Sequence, residues 1–348
     1  MEAPLKLLSL FSGCGGLDLG FHQAGFETAL AYDKRSVSVG TWRENIGENA
    51  FVRDIWSLTL EDMDRDHGAR FEPMGVIGGP PCQGFSLANR KGSVSDPRNA
   101  LVGRFFDLAL ELHARKPLSF IVMENVAAVL GERGGGVIDV QKKKLEDAGF
   151  SAAAHVLDAN DYGVAQHRRR LFLVAINRSL VQKNSWTPPQ VERDPPTVRD
   201  LIHGLPDPVY YSRTARPGNF DTHPNHWCMV PKSPKFMSGE LSQGYVSKRS
   251  FKTLSWDKPS YTVAYGNREV HVHPDCNRRL SVLEAMLLQG FPKTFVMSGS
   301  LSDQITQVSE AVPPPLARAV AASIIHTIAA SSASSEGSYV GWAASQAS

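Results

Sequence analysis

The chain has 348 residues, 42% hydrophobic and 21% charged, with a formal net charge of +2. That is the make-up of an ordinary folded protein with room for one large domain and a smaller one, and it excludes a disordered or low-complexity chain. So mild a charge does not by itself announce a polyanionic partner, and no apolar run is long enough to span a bilayer.

Strands and helices alternate through the first half. Leu5 to Leu10 reads as a buried strand, followed by a glycine turn and a helix from about Leu17 to Ala24. Thr28 to Tyr32 is a second strand and Val37 to Asn45 a helix. Val76-Ile77 and Phe120 to Met123 are short core strands flanking a helix from about Phe105 to Ala114, and Leu171 to Ile176 is a late strand. This order predicts an α/β fold: a doubly wound, mostly parallel sheet with helices on both faces.

After Asn177 the texture changes. From Thr187 to Asp275 the chain is rich in proline, aromatics, histidine and serine, with little helical periodicity. We therefore expect a first domain over 1–180 and a smaller loop-rich region over 181–275, with its core at about 205–253. Residues 276–330 should return to the first domain through helices at Val282 to Gln289 and Leu316 to Ala330. The serine-rich tail, 331–348, is expected to be disordered.

Four cysteines, Cys14, Cys82, Cys228 and Cys276, are too far apart for zinc-type spacing, so no metal is expected. With no signal peptide at the start, a reducing cytoplasmic setting is expected as well.

Three stretches carry chemistry. Phe11-Ser12-Gly13-Cys14-Gly15-Gly16 follows the first strand and opens the first helix, and Asp33 ends the second strand 17 positions after Gly16. A glycine turn with a carboxylate at that spacing suits a ligand carrying a ribose; a nicotinamide dinucleotide fits it equally well. Pro80-Pro81-Cys82-Gln83 sets a thiol at the carboxyl end of a strand, where Cys82 is either a nucleophile or a small buried hydrophobe. Glu124-Asn125-Val126, directly after Met123, offers an acid at the end of the next strand, or a carboxylate capping a helix. In Gln166-His167-Arg168-Arg169-Arg170, alternation turns Arg168 and Arg170 to one face.

Together these stretches resemble the DNA cytosine-C5 methyltransferases, in the expected order from Leu5 to Ala330. Phe-x-Gly-x-Gly-Gly, Pro-Cys-Gln, Glu-Asn-Val and Gln-x-Arg-x-Arg are motifs of that family. So are Arg278 to Pro292 and Gln307 to Pro314. The resemblance implies S-adenosyl-L-methionine held by Phe11, Cys14, Gly15, Gly16, Asp33, Asp54, Ile55, Pro81 and Leu101. It implies Cys82 as the nucleophile on cytosine C6, Glu124 at N3, and Arg168 and Arg170 at O2 and a flanking phosphate. The loop Leu87 to Pro97 would close over double-stranded DNA around a flipped-out base. The region from Leu205 to Thr253, with Arg213, His226, Trp227, Lys235 and their neighbours, would choose the DNA word. A monomer of prokaryotic modification type is expected, with a cognate restriction endonuclease as its companion.

The chain departs from the family pattern at Asp33, where glutamate is usual, and at Lys34, where an apolar residue is common. A third departure is Ser309-Glu310 in place of Gly-Asn. Glu310 should engage the cofactor's positive groups or point to solvent. A tRNA-directed relative would share the catalytic centre. A decayed DNA-binding regulator would need a lost nucleophile or acid, and both Cys82 and Glu124 are present. A nicotinamide-dependent dehydrogenase explains only the first 60 or so residues.

Overall fold

The computed structural model describes residues 5–81, 100–131, 134, 136–180, 186–191, 194–212, 222–247, 251–262 and 271–332. Cys82, the loop Leu87 to Pro97, Arg213 and the tail from 333 onward lie outside them. In chain order the first elements are β1 (Leu5–Leu10), α1 (Gly16–Gln23), β2 (Phe26–Asp33), α2 (Ser36–Asn45), β3 (Ala50–Val52) and α3 (Leu60–His67). Then come β4 (Gly75–Gly78), α4 (Ala100–Arg115), β5 (Phe120–Val126), α5 (Val137–Asp147), β6 (Phe150–Asp158) and β7 (Arg169–Asn177). The remainder holds α6 (Val198–Ile202), β8 (Val209–Tyr210), β9 (Trp227–Cys228), α7 (Val282–Leu288), α8 (Leu301–Glu310) and α9 (Pro314–Ser332).

Seven strands form one sheet in the order β3-β2-β1-β4-β5-β7-β6, and β7 runs antiparallel to both its neighbours. Side chains alternate cleanly between two buried layers. Leu8, Leu10, Val76, Ile121, Met123, Leu171 and Leu173 enter one, with Phe105 and Phe106 of α4. Leu7, Ile77, Phe120, Val122, Phe172 and Val174 enter the other, with Phe21 of α1 and Leu316 and Val320 of α9. Period-two alternation with both faces apolar is what a doubly wound sheet requires.

The late helix α9 lies directly on α1, which is why α1 carries Gly16 and Gly20. A Cβ on Gly20 would stand 2.4 Å from the Ala317 Cβ, and one on Gly16 would stand 2.3 Å from the Val312 carbonyl oxygen. The helix continues to Ser332, two residues past the expected end at Ala330. A third apolar cluster unites α6, α7 and α8 around Trp227, Leu254, Leu283, Phe291 and Ile305.

Chain order reverses at the β1/β4 junction, since β1 is followed by β2 on one side while β4 lies on the other. The crevice outside the carboxyl ends of β1 and β4 is where such sheets bind ligands.

Candidate active site

The segment Gly78-Gly79-Pro80-Pro81 leaves the carboxyl end of β4 and passes beside β5. Glu124 and Asn125 are part of that strand rather than a cap beyond it, because β5 continues through Val126 to pair with β7. The two side chains act on the passing segment differently. Asn125 donates its Nδ2 to the Pro80 carbonyl at 3.2 Å. Glu124 comes so close that a Cβ on Gly79 would sit 3.2 Å from Oε2. Asn125 thus pins the backbone two residues before Cys82, and the carboxylate of Glu124 stands at the same place.

Glu124 is 8% exposed, and its Oε1 pairs with Arg170 Nε at 3.0 Å. Burial pushes its carboxyl above the ordinary range, while the Arg170 and Arg168 guanidiniums hold it back. A buried acid balanced in this way can hold or share a proton with a ring nitrogen.

Arg168 is fully buried. Its Nη2 donates to the carbonyls of Ser309 at 2.7 Å and Ala311 at 2.8 Å, and its backbone N donates to Asp158 Oδ1 at 2.8 Å. The Gln289 Nε2 donates to the same Ala311 carbonyl and to Val308. Arg168 therefore fastens the turn between α8 and α9 beneath the site. Only Arg170 keeps a partly exposed face.

At the other end of the crevice, Phe11 and Gly13 both adopt positive φ, +55° each. Asp33 fixes this turn: its Oδ2 accepts the Gly13 N–H at 3.0 Å and its Oδ1 accepts the Arg35 N–H at 2.8 Å. Cys14 is buried with its thiol towards the Gln307 carbonyl, and burial pushes that thiol up to about 12, so it is no nucleophile at neutral pH. Asp54 is exposed and caps its own turn through Trp56 N. Ile55 and Leu101 are buried, Ile55 in the apolar layer that also holds Leu10 and Tyr32. Pro81 is the last described residue before Cys82. Glu310 is exposed, and its Oε2 pairs with Arg35 Nη1 at 2.7 Å.

Residues 5–326 match the model of the C-5 cytosine-specific DNA methylases. The chain belongs to that family. It is 32% identical to the type II methyltransferase M.FnuDI of Fusobacterium nucleatum over 93% of this chain and 95% of that protein. It is 31% identical to M.NgoPII of Neisseria gonorrhoeae, again over 93% of this chain and 96% of the other. Among solved structures, a prophage-encoded Escherichia coli protein assigned as a DNA modification methyltransferase superposes with TM-score 0.76 at 24% identity, covering 93% of this chain and 99% of that one. The Schizosaccharomyces pombe Dnmt2 methyltransferase superposes at 0.63 with 18% identity, over 93% and 97%. The enzyme thus has the doubly wound sheet that the alternating elements predicted and the methyltransferase fold that the resemblance implied.

Four of its structural contacts were not foreseen: Asn125 on Pro80, Asp158 on Arg168, Gln289 on Ala311 and Arg35 on Glu310. Two of them, Asn125 on Pro80 and Gln289 on Ala311, join different motifs, the other two join a motif to a residue outside the motifs, and nothing in either stretch alone names its partner. Among the described residues no group of histidine, cysteine and acidic side chains could hold a metal ion, and no helix is long and apolar enough to cross a membrane.

Proposed function

We propose that the enzyme methylates carbon 5 of cytosine in a specific double-stranded DNA word, using S-adenosyl-L-methionine and a covalent bond from Cys82 to C6 of a flipped-out base. Carbon 5 is a weak nucleophile, and addition of a thiolate to C6 turns it into an enamine carbon able to accept a methyl group. Loss of the C5 proton then expels the thiolate. Glu124 holds N3 while charge develops on the ring, with Arg170 keeping the carboxylate in place and facing O2. Arg168 positions the site from below through Ser309 and Ala311 rather than touching the base.

The crevice suits the cofactor. A Cβ on Gly13 would meet nothing within 4 Å, so the turn opens onto free space beside the Asp33 carboxylate that anchors it. Phe11, Cys14, Gly15, Gly16, Asp33, Asp54, Ile55, Pro81 and Leu101 would line or support that pocket. S-Adenosylmethionine brings an electrophilic methyl on a sulfonium, and the chain's task is to hold it over the ring and exclude water. The segment from Leu205 to Thr253 selects the word. The setting we propose is a restriction-modification system in the cytoplasm, with the enzyme a monomer and an endonuclease reading the same word.

One observation carries this reading: a buried, arginine-paired Glu124 stands against the segment leading to Cys82, with Asn125 gripping its backbone. The test is trapping on duplex DNA bearing 5-fluorocytosine, whose fluorine cannot leave as a proton. We expect a stable adduct with wild type and none with Cys82→Ser. An adduct on the serine variant, or its absence from wild type on DNA that the enzyme methylates, would overturn the mechanism.

A further inference from the structure

Arg35 and Glu310 lie 275 positions apart, yet both belong to the rim of the glycine turn. Arg35 is the N-cap of α2, and its backbone is held by Asp33, the residue whose other oxygen holds Gly13. Glu310 is the last residue of α8, directly before the Ala311 carbonyl gripped by Arg168 and Gln289. The Val312 backbone, two residues on, packs on Gly16. Gly13, Asp33, Arg35, Glu310 and Gly16 thus form a ring around the mouth of α1, and the ion pair is its only link between charged side chains in this set.

The charges on this ring are unusual. Glu310 sits at a helix C-terminus, where the helix dipole disfavours an anion. The Asp33 carboxylate is close enough to repel it, and exposed Lys34 is the other nearby cation. Arg35 is 30% exposed and Glu310 56%, so as a surface ion pair it contributes little to folding. Its effect is local: it offsets a second carboxylate charge close to that of Asp33.

We infer that Arg35 is a positioning residue for cofactor binding, neutralising Glu310 so that the pocket rim can accept the amino-acid carboxylate of S-adenosylmethionine. This rests on the cofactor assignment above. If Arg35 acts through Glu310, the damage from losing Arg35 should vanish once Glu310 is also neutral, a coupling that a double-mutant cycle isolates.

The experiment measures S-adenosylhomocysteine affinity by calorimetry on the full chain at low salt. This probe keeps the carboxylate and ammonium and lacks the sulfonium charge. Arg35→Ala should weaken binding about tenfold, Arg35→Lys and Glu310→Gln threefold or less, and Arg35→Ala/Glu310→Gln should return to within threefold of wild type. Raising salt to about 1 M, where charges are screened beyond roughly 3 Å, should shrink the Arg35→Ala defect. A double variant as weak as Arg35→Ala, or an Arg35→Ala protein binding like wild type, overturns the inference and leaves the cofactor assignment standing. A wild-type protein that does not bind the probe overturns both.

Discussion

Around the sheet, charged and amide side chains reach far along the chain to grip main-chain oxygens. Arg168 does so at Ser309 and Ala311, Asn125 at Pro80 and Gln289 at Val308. In and beside the loop-rich region several cations lie against aromatic rings, although Arg278 there pairs with Glu284 and, near the sheet, Arg43 also stands 5.8 Å from the Phe51 ring. Arg279 stands 4.6 Å from the Phe251 centroid and 5.7 Å from Phe236, while Lys235 stacks 5.8 Å from Tyr245 and 5.7 Å from Phe251. A hydrogen bond fixes both distance and direction, whereas a cation over a ring tolerates sliding. On the function proposed above, one half would hold reacting atoms within a fraction of an ångström, and the other would present a surface that can differ between enzymes reading different words.

The most severe way to break this contrast is Glu124→Gln. If the chemistry depends on the buried acid, methyl transfer to duplex DNA should fall by about a thousandfold while DNA affinity changes little. The same variant addresses pH. Burial raises the Glu124 pKa, so a step that needs its proton is available below that pKa and declines as pH rises through it. The glutamine variant should lack this decline. A loss below tenfold would mean that the acid is not part of the reaction.

Next comes a pair of truncations that compares the halves directly. Arg168→Ala removes a buried guanidinium that donates to the Ser309 and Ala311 carbonyls, leaving Ala311 with its Gln289 donor, and should cost about 3 kcal/mol in urea unfolding. Arg279→Ala removes a cation between two rings and should cost about 1 to 2 kcal/mol. Equal losses would erase the distinction between gripping and stacking.

Asp18 provides an effect that only a change of pH reveals. This carboxylate of α1 is wholly buried, accepts a hydrogen bond from Thr28 Oγ1 at 3.1 Å, and is pushed by burial from 3.8 up to about 6. The folded enzyme therefore binds this proton more tightly than the unfolded chain. Its contribution to stability is present at low pH, fades as pH rises from 3.8 towards about 6, and is gone above that. The loss is at most about 3 kcal/mol. Asp18→Asn should flatten that part of the stability–pH curve, measured by urea unfolding at a series of pH values. A slope that persists in the variant would assign it to another group.

How far each element was legible followed from its side chains. β1, β5 and β7 are dense in leucine, isoleucine, valine and phenylalanine and were foreseen within a few residues. β6 was missed, since Phe-Ser-Ala-Ala-Ala-His-Val-Leu-Asp has little β-branched content and takes its strand form from pairing along all of β7. α8 was missed although Ser300 and Asp303 form a capping box before Leu301, a signal readable in the sequence. At the site, every motif was visible as a local pattern, and Glu124 and Arg170 do meet. The division of labour between Arg168 and Arg170 was not visible, because it depends on Ser309 and Ala311, 141 and 143 positions away.

The seating of α9 against α1 also has a bearing on biosynthesis. The glycine turn and its helix are made about 290 residues before the surface that covers them, from Val312 to Ile324. A nascent chain must therefore carry an uncovered Phe21 and a bare α1 while the sheet, the loop-rich region and α7 and α8 are synthesised. The pocket is completed only once α9 has been synthesised, so a chain cut short before Pro314 should be a target for chaperones and proteases rather than a smaller working enzyme.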